Sequence, residues 1–204
     1  MRPVRKSRDF NMTQIRNDLF DPARGLDRGR SKPVEALWYL VKCFFLLSPL
    51  PWPNRLRVAW LRCFGAKIGA GVYIKPRVNV HFPWKLTIGA HAWIGEEVFI
   101  LNFEPVHIGA HACISQRVFL CTGNHDFRDP AMAYRNRPIS IGNGAWIGAQ
   151  CFVGPGVTIG EDVVATAGSV VVRDLPAGMV CSGNLCVPIK PRWGDNAADA
   201  DKHK

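Results

Sequence analysis

IGNGAWIGAQCFVGPGVTIGEDVVATAGSVV, residues 141–171, places an aliphatic or small residue at every sixth position: Ile141, Ile147, Val153, Ile159, Ala165 and Val171. The same beat runs upstream through Ile68, Ile74 and Val80, then Ile88, Ile94 and Ile100, then Ile108, Ile114 and Leu120. A period this short marks a parallel β-helix, in which each short strand stacks on its equivalent one coil away. Three hexads close one triangular coil. The first position of each hexad points inward, and so does the fifth, which is small or β-branched: Val72, Val78, Ala92, Val98, Ala112, Val118, Ala145, Val157 and Val163. Gly often holds the second position, at Gly69, Gly89, Gly95, Gly109, Gly142, Gly148, Gly154 and Gly160. It is expected there to supply the backbone freedom of a tight corner.

The intervals between coils locate the irregularities. Ile68 to Ile88 and Ile88 to Ile108 are each 20 residues, whereas Ile141 to Ile159 is 18. Two extra residues therefore enter one corner of each early coil, near Phe82-Pro83-Trp84-Lys85 and Phe103-Glu104-Pro105. After Leu120 the next hexad is due near position 126 but begins at Ile141, an excursion of 15 residues through Gly123-Asn124-His125-Asp126 and Arg137-Pro138. A regular prism does not need this loop, and long loops on rigid scaffolds tend to carry function.

The chain has 204 residues and a formal net charge of +10. Residues 1–66 hold 13 Lys/Arg against 5 Asp/Glu, so most of the excess belongs to the N-terminal segment and not to the repeat. Seven cysteines are scattered without a CxxC pair, and Cys43, Cys63, Cys113, Cys121 and Cys151 have apolar neighbours. That pattern suits buried thiols in a reducing compartment, and neither a disulfide frame nor a zinc site. No apolar signal region occurs in the polar, Arg-rich first 33 residues, which points to the cytoplasm.

Four segments follow. Residues 1–33 are expected to be a flexible basic arm. Residues 34–66 form an amphipathic helical cap; its apolar run Val34 to Leu50 is a little short for a membrane span. Asn54 can cap its second helix, and Gly65 can close it. These helices are expected to hide the first coil or to rest their Trp/Phe-rich face, with its flanking Arg clusters, on an anionic bilayer, and the two are not exclusive. Residues 67–182 are the β-helix, and 183–204 a tail. No nucleic-acid module accompanies the basic residues.

The hexads, together with Cys121-Thr122-Gly123-Asn124-His125-Asp126, Ala145-Trp146-Ile147-Gly148-Ala149, Gly154-Pro155-Gly156-Val157-Thr158-Ile159-Gly160 and Ala167-Gly168-Ser169-Val170, resemble the galactoside, maltose and nodulation O-acetyltransferases. Phe64-Gly65-Ala66-Lys67-Ile68-Gly69 and Pro83-Trp84-Lys85-Leu86 look most like the colanic acid biosynthesis acetyltransferases. The resemblance covers roughly Val34 to Arg192. It implies an all-β, left-handed parallel β-helix of hexapeptide repeats with an N-terminal helical segment and one long excursion loop. Handedness comes from the resemblance alone. It also implies a homotrimer with acetyl-coenzyme A in a groove between prisms. The aromatic residues at outward positions, Trp93, Phe99, Phe119, Trp146 and Phe152, agree with subunit contact.

Moving an acetyl group from a thioester to a hydroxyl needs a base for the hydroxyl proton, and histidine suits that task. Of the six histidines, His203 lies in the tail, while His91 and His111 share one hexad position and read as an outward ladder. His81 and His107 adjoin the inserted corners. His125 lies where the repeat breaks and inside the family signature, so it is the expected base. Asp126 could hold its ring, although neighbours in an extended segment point opposite ways. The resemblance assigns Ala149 and Ala167 to the pantetheine groove. It assigns Arg173 and Lys190, with help from Arg192, to the nucleotide phosphates. Asn102 falls where related enzymes touch sugar hydroxyls, and Arg128, Tyr134 and Arg135 could meet an acceptor phosphate. The expected reaction is acetyl transfer to a sugar hydroxyl, on a free or lipid-linked saccharide, with no metal. The alternatives are a γ-carbonic-anhydrase-like zinc enzyme and a non-catalytic scaffold on the same prism.

Overall fold

The computed structural model of the chain describes residues 14–193. Three parallel sheets make the faces of a prism. The first stacks Lys67–Ile68, Leu86–Ile88, Val106–Ile108, Ile139–Ile141 and Thr158–Ile159. The second stacks Tyr73–Ile74, Trp93–Ile94, Cys113–Ile114, Trp146–Ile147, Val164–Ala165 and Met179–Ser182. The third stacks Asn79–Val80, Phe99–Leu101, Phe119–Cys121, Phe152–Val153 and Val170–Val171. Register follows the hexads: Ile68 pairs with Ile88, Ile88 with Ile108, Ile108 with Ile141 and Ile141 with Ile159. The first and fifth hexad positions fill the prism, and Ile100, Ile108, Ile114, Leu120, Val98, Val118 and Ala145 are fully buried.

The corners work differently from the sequence expectation. The second-position glycines do not supply the left-handed turn. That conformation falls two residues later, at Arg77, Glu97, Arg117 and Gln150 between the second and third faces, and at His91, His111 and Asp162 between the first and second. Close approach is what requires the second-position glycine, except at Gly154, where nothing lies nearer than 3.3 Å to an added Cβ. A Cβ on Gly89 would lie 2.3 Å from the backbone nitrogen of Ala110 in the next coil, and one on Gly109 would lie 2.5 Å from that of Asn143. The left-handed side chains stack along the prism instead. Glu97 bridges Arg77 at 2.7 Å and Arg117 at 2.6 Å, and the rings of His91 and His111 stack at 5.2 Å.

Two helices, α1 (Lys32–Val41) and α2 (Asn54–Cys63), close the first coil, joined through a π-helical turn over Lys42–Leu46. An uncovered coil would leave backbone donors and acceptors unpaired. Trp38 Nε1 donates to the carbonyls of Val80 and His81, Arg57 Nη1 to that of Ile74, and Arg62 to that of Ile68. Asn54 is the first residue of α2 and not its cap. Its amide accepts from the Ile74 N–H and donates to the Val72 carbonyl. Gly65, at φ +95°, ends α2.

Part of the expected arm is laid on the prism. The Arg16 N–H donates to Pro130, Trp84 Nε1 donates to the Arg28 carbonyl, and Leu26 is buried; residues 1–13 lie outside the described residues. Part of the expected tail, Val187–Pro191, pairs antiparallel with Met179–Ser182 and extends the second sheet. Cys43 and Cys63, expected to be buried, are exposed, whereas Cys121, Cys151, Cys181 and Cys186 are buried free thiols.

Candidate functional site

The excursion leaves the third face after Cys121 and returns to the first at Ile139, so it projects from the corner between them. It folds as a hairpin. The N–H groups of Asp126, Arg135 and Arg137 donate to the carbonyls of Ala133, Asn124 and Thr122, at 2.7, 2.8 and 3.0 Å. Its base is anchored by Thr122, whose hydroxyl donates to Leu101 and accepts from the Glu104 N–H. Asn136 Oδ1 accepts from the Asn124 N–H and ties the two arms.

This hairpin holds the His125 ring. Met132, at φ +52°, lies in the left-handed region, and its carbonyl oxygen is 2.5 Å from His125 Nδ1. A carbonyl only accepts, so Nδ1 carries a proton, and in the neutral form of the ring the lone pair then lies on Nε2. The imidazole stacks on Tyr134 with centroids 4.9 Å apart and meets the edge of Phe20 at 5.4 Å. A neutral imidazole held in one tautomer between two rings can take a proton at Nε2.

Asp126 does not hold that ring. Its carboxylate accepts from the Arg128 N–H at 3.1 Å and lies 4.0 Å from Arg135. Arg128 is exposed and packs over the exposed ring of Phe127. His125, Asp126, Arg128, Tyr134 and Arg135 thus share one hairpin, as the sequence implied.

Asn102 is not presented to a ligand. It is fully buried, and its amide accepts from the Phe82 N–H at 2.9 Å and donates to the Phe82 carbonyl at 2.6 Å. It replaces a backbone partner where two-residue insertions open the corner. Asn102→Ala is expected to cost about 2 kcal/mol through the unpaired Phe82 groups. Thermal unfolding read beside acceptor KM checks this: a lower midpoint with unchanged KM fits, and the reverse does not.

Ala149 and Ala167 sit on a different corner, between the second and third faces. They stack in adjacent coils, and the Gly168 N–H donates to the Ala149 carbonyl at 2.8 Å. A shallow depression of about 260 Å³ beside Ala149 is lined by Glu96, Glu97, Gln116, Arg117 and Gln150. Arg173 is exposed on the His125 corner, in the last coil, and Lys190 is exposed on the terminal strand. Arg192 is occupied elsewhere, with Nη1 donating to the carbonyls of Gly144 and Asp162. Two contributors gave no sequence signal. Phe20 lies in a polar stretch, and Met132 acts through its backbone alone. Among the described residues no group of three His, Cys, Asp or Glu is placed to hold a metal ion.

A family model described as the hexapeptide repeat of succinyl-transferase matches residues 138–173. The chain is 42% identical over 173 residues to a protein of Escherichia coli K12 assigned as a colanic acid biosynthesis acetyltransferase, WcaF. The match covers 85% of this chain and 94% of that one. A galactoside O-acetyltransferase from the same organism is 33% identical over 137 residues, 67% of this chain and 56% of that one. The fold also matches a hexapeptide-repeat acetyltransferase from Vibrio cholerae, solved with acetyl-coenzyme A, at a TM-score of 0.73 and 26% identity, covering 80% of this chain and 89% of that one. A galactoside acetyltransferase solved with coenzyme A gives a TM-score of 0.72 at 26% identity, covering 79% and 82%. The prism is therefore the left-handed β-helix of these enzymes, and the chain belongs to the hexapeptide-repeat acetyltransferase family.

Proposed function

We propose that the chain transfers an acetyl group from acetyl-coenzyme A to a sugar hydroxyl in bacterial glycan synthesis, with His125 as general base. The observation that carries this reading is the His125 ring, fixed by Met132 through Nδ1 with Nε2 available. Nε2 takes the hydroxyl proton as the oxygen attacks the thioester carbonyl. The tetrahedral intermediate expels the coenzyme A thiolate, which takes that proton from the imidazolium. The thioester is already activated, so neither a metal nor a covalent enzyme intermediate is required.

The site is completed between chains in this reading. His125 and the Ala149–Ala167 column occupy different corners of one prism, with the third face between them. A homotrimer would set the His125 corner of one protomer beside the alanine corner of the next, with Arg173 and Lys190 toward the nucleotide phosphates. The outer faces suit such contact. Trp93 and Trp146 are about half exposed, and Tyr73 packs on Trp93 at 5.6 Å. Trp93→Glu is expected to yield monomers by sedimentation and to lose acetyl transfer in parallel; an active monomer would overturn the shared site.

The reaction runs on the cytoplasmic side of the membrane, with the cap touching the bilayer. Leu37, Leu40 and Phe44, at helical spacing, form an exposed apolar strip on the cap. No described helix is long and apolar enough to cross a membrane. Mass spectrometry of glycans from cells with and without the gene tests the whole reading. The expected result is an acetyl group missing from the deletion strain, and identical glycans would refute it.

A further inference from the structure

A cleft of about 330 Å³ lies between α1 and the inserted corner of the first coil. The rings of Tyr39, Phe82 and Trp84 form its walls. Lys42, at the start of the π-helical turn, reaches into it. Its residue surface is only 7% exposed, and among the described residues its ammonium has no hydrogen-bond or ion-pair partner. Its contact is the Tyr39 ring, 5.4 Å from Nζ. Burial pushes its pKa down. A mostly buried lysine whose ammonium faces the cleft is placed to meet an anion that enters it, and π-helical turns recur at functional sites.

The surroundings reinforce the positive field. Arg28 is ion-paired with Glu35 and packs over Phe82, while Lys32 stands exposed at the rim. Three cations thus face one carboxylate. His81 is pushed down to about 4 by burial, with Lys42 and Arg28 adding to the effect. It is neutral at ordinary pH and offers hydrogen bonding without charge.

The cleft also leads toward the catalytic hairpin. A second cleft, of about 340 Å³, shares Arg28 and Lys32 with the first and continues to Pro22 and Ala23. Phe20, just before it, is the residue that packs on His125.

We propose that this cleft binds a phosphate carried by the acceptor glycan. Lys42 and Lys32 hold the phosphate oxygens, the aromatic walls hold the adjoining sugar, and the saccharide runs past Pro22 toward His125. The proposal rests on the acetyl-transfer reading and names the acceptor's chemical class. A phosphate suits the cleft because a compact dianion meets two cations that have no ion-pair partner among the described residues.

Calorimetric titration of the full chain with glucose 1-phosphate, with glucose as the uncharged control, tests it. Wild type is expected to bind glucose 1-phosphate saturably and glucose far more weakly. Lys42→Met is expected to weaken glucose 1-phosphate binding about tenfold or more. Lys42→Arg retains binding, and Arg55→Gln, outside the cleft, leaves it unchanged. Equal binding by wild type and a folded Lys42→Met protein, checked by its thermal midpoint, would overturn the assignment; so would equal weakening by Arg55→Gln. Flotation with phosphatidylcholine vesicles, with and without phosphatidate, separates the sources. Lys42-dependent flotation with phosphatidate identifies a lipid-borne phosphate, and glucose 1-phosphate binding without it identifies a free one. Acetyl-coenzyme A hydrolysis is read in parallel. Hydrolysis with no Lys42-dependent anion binding sinks the cleft alone, and anion binding with no His125-dependent hydrolysis sinks the acetyl-transfer reading alone.

Discussion

His125→Ala is expected to lower kcat for acetyl transfer by about 10²–10⁴-fold, the usual contribution of a positioned general base. KM for acetyl-coenzyme A should change little, because in the proposed mechanism the imidazole acts on the acceptor proton. Steady-state kinetics with saturating acceptor give the split directly. Asp126→Asn is the informative companion. In a histidine–carboxylate pair it would damage the rate severely, because the tautomer would be lost. Here the Met132 carbonyl accepts from Nδ1 and the Asp126 carboxylate faces Arg128 and Arg135, so Asp126→Asn should leave most of the activity. A loss matching that of His125→Ala would transfer the orienting role back to Asp126.

The second large effect is on stability. Gly89→Ala is expected to cost about 3 kcal/mol, the upper end of ordinary overpacking. Its Cβ would come within 2.3–2.7 Å of the backbone of Gly109 and Ala110, and neither coil can move without disturbing the stack. A loss of that size should lower the thermal midpoint by about 6–12 °C. Gly168→Ala is the contrasting change. Gly168 sits at φ +72° with nothing within 4 Å of an added Cβ, so only left-handed strain is introduced. That should cost about 1 kcal/mol. Similar losses at the two positions would mean that coil-to-coil approach at Gly89 costs no more than left-handed strain, and would remove close approach as the reason for glycine at the second position.

The glycines show how far periodicity reaches. Spacing identified where glycine recurs, because successive coils stack equivalent positions on one another. It did not reveal the reason, since close approach and left-handed turning both favour glycine and differ only in three dimensions. The left-handed positions were hidden because Glu97, Arg117, His91 and Gln150 occupy them. Stacked partners in adjacent coils, such as the Glu97 pairs with Arg77 and Arg117, accompany that conformation. Asn102 illustrates the same limit. Its place where related enzymes touch sugar hydroxyls suggested a ligand contact, yet an inserted corner needs an internal partner for Phe82, and the amide serves it.

Sequence by itself determined the prism, its register, its inward-facing residues and the break that carries His125, because each coil imposes identical local sterics on residues six apart. Tertiary structure alone decided what grips that histidine and what lies beside it. The Met132 carbonyl reaches Nδ1 only after the hairpin folds back, and Phe20 arrives from a segment more than a hundred residues earlier. Neither contact follows a period, so no spacing could encode it. Both depend on where irregular chain settles against the regular coils.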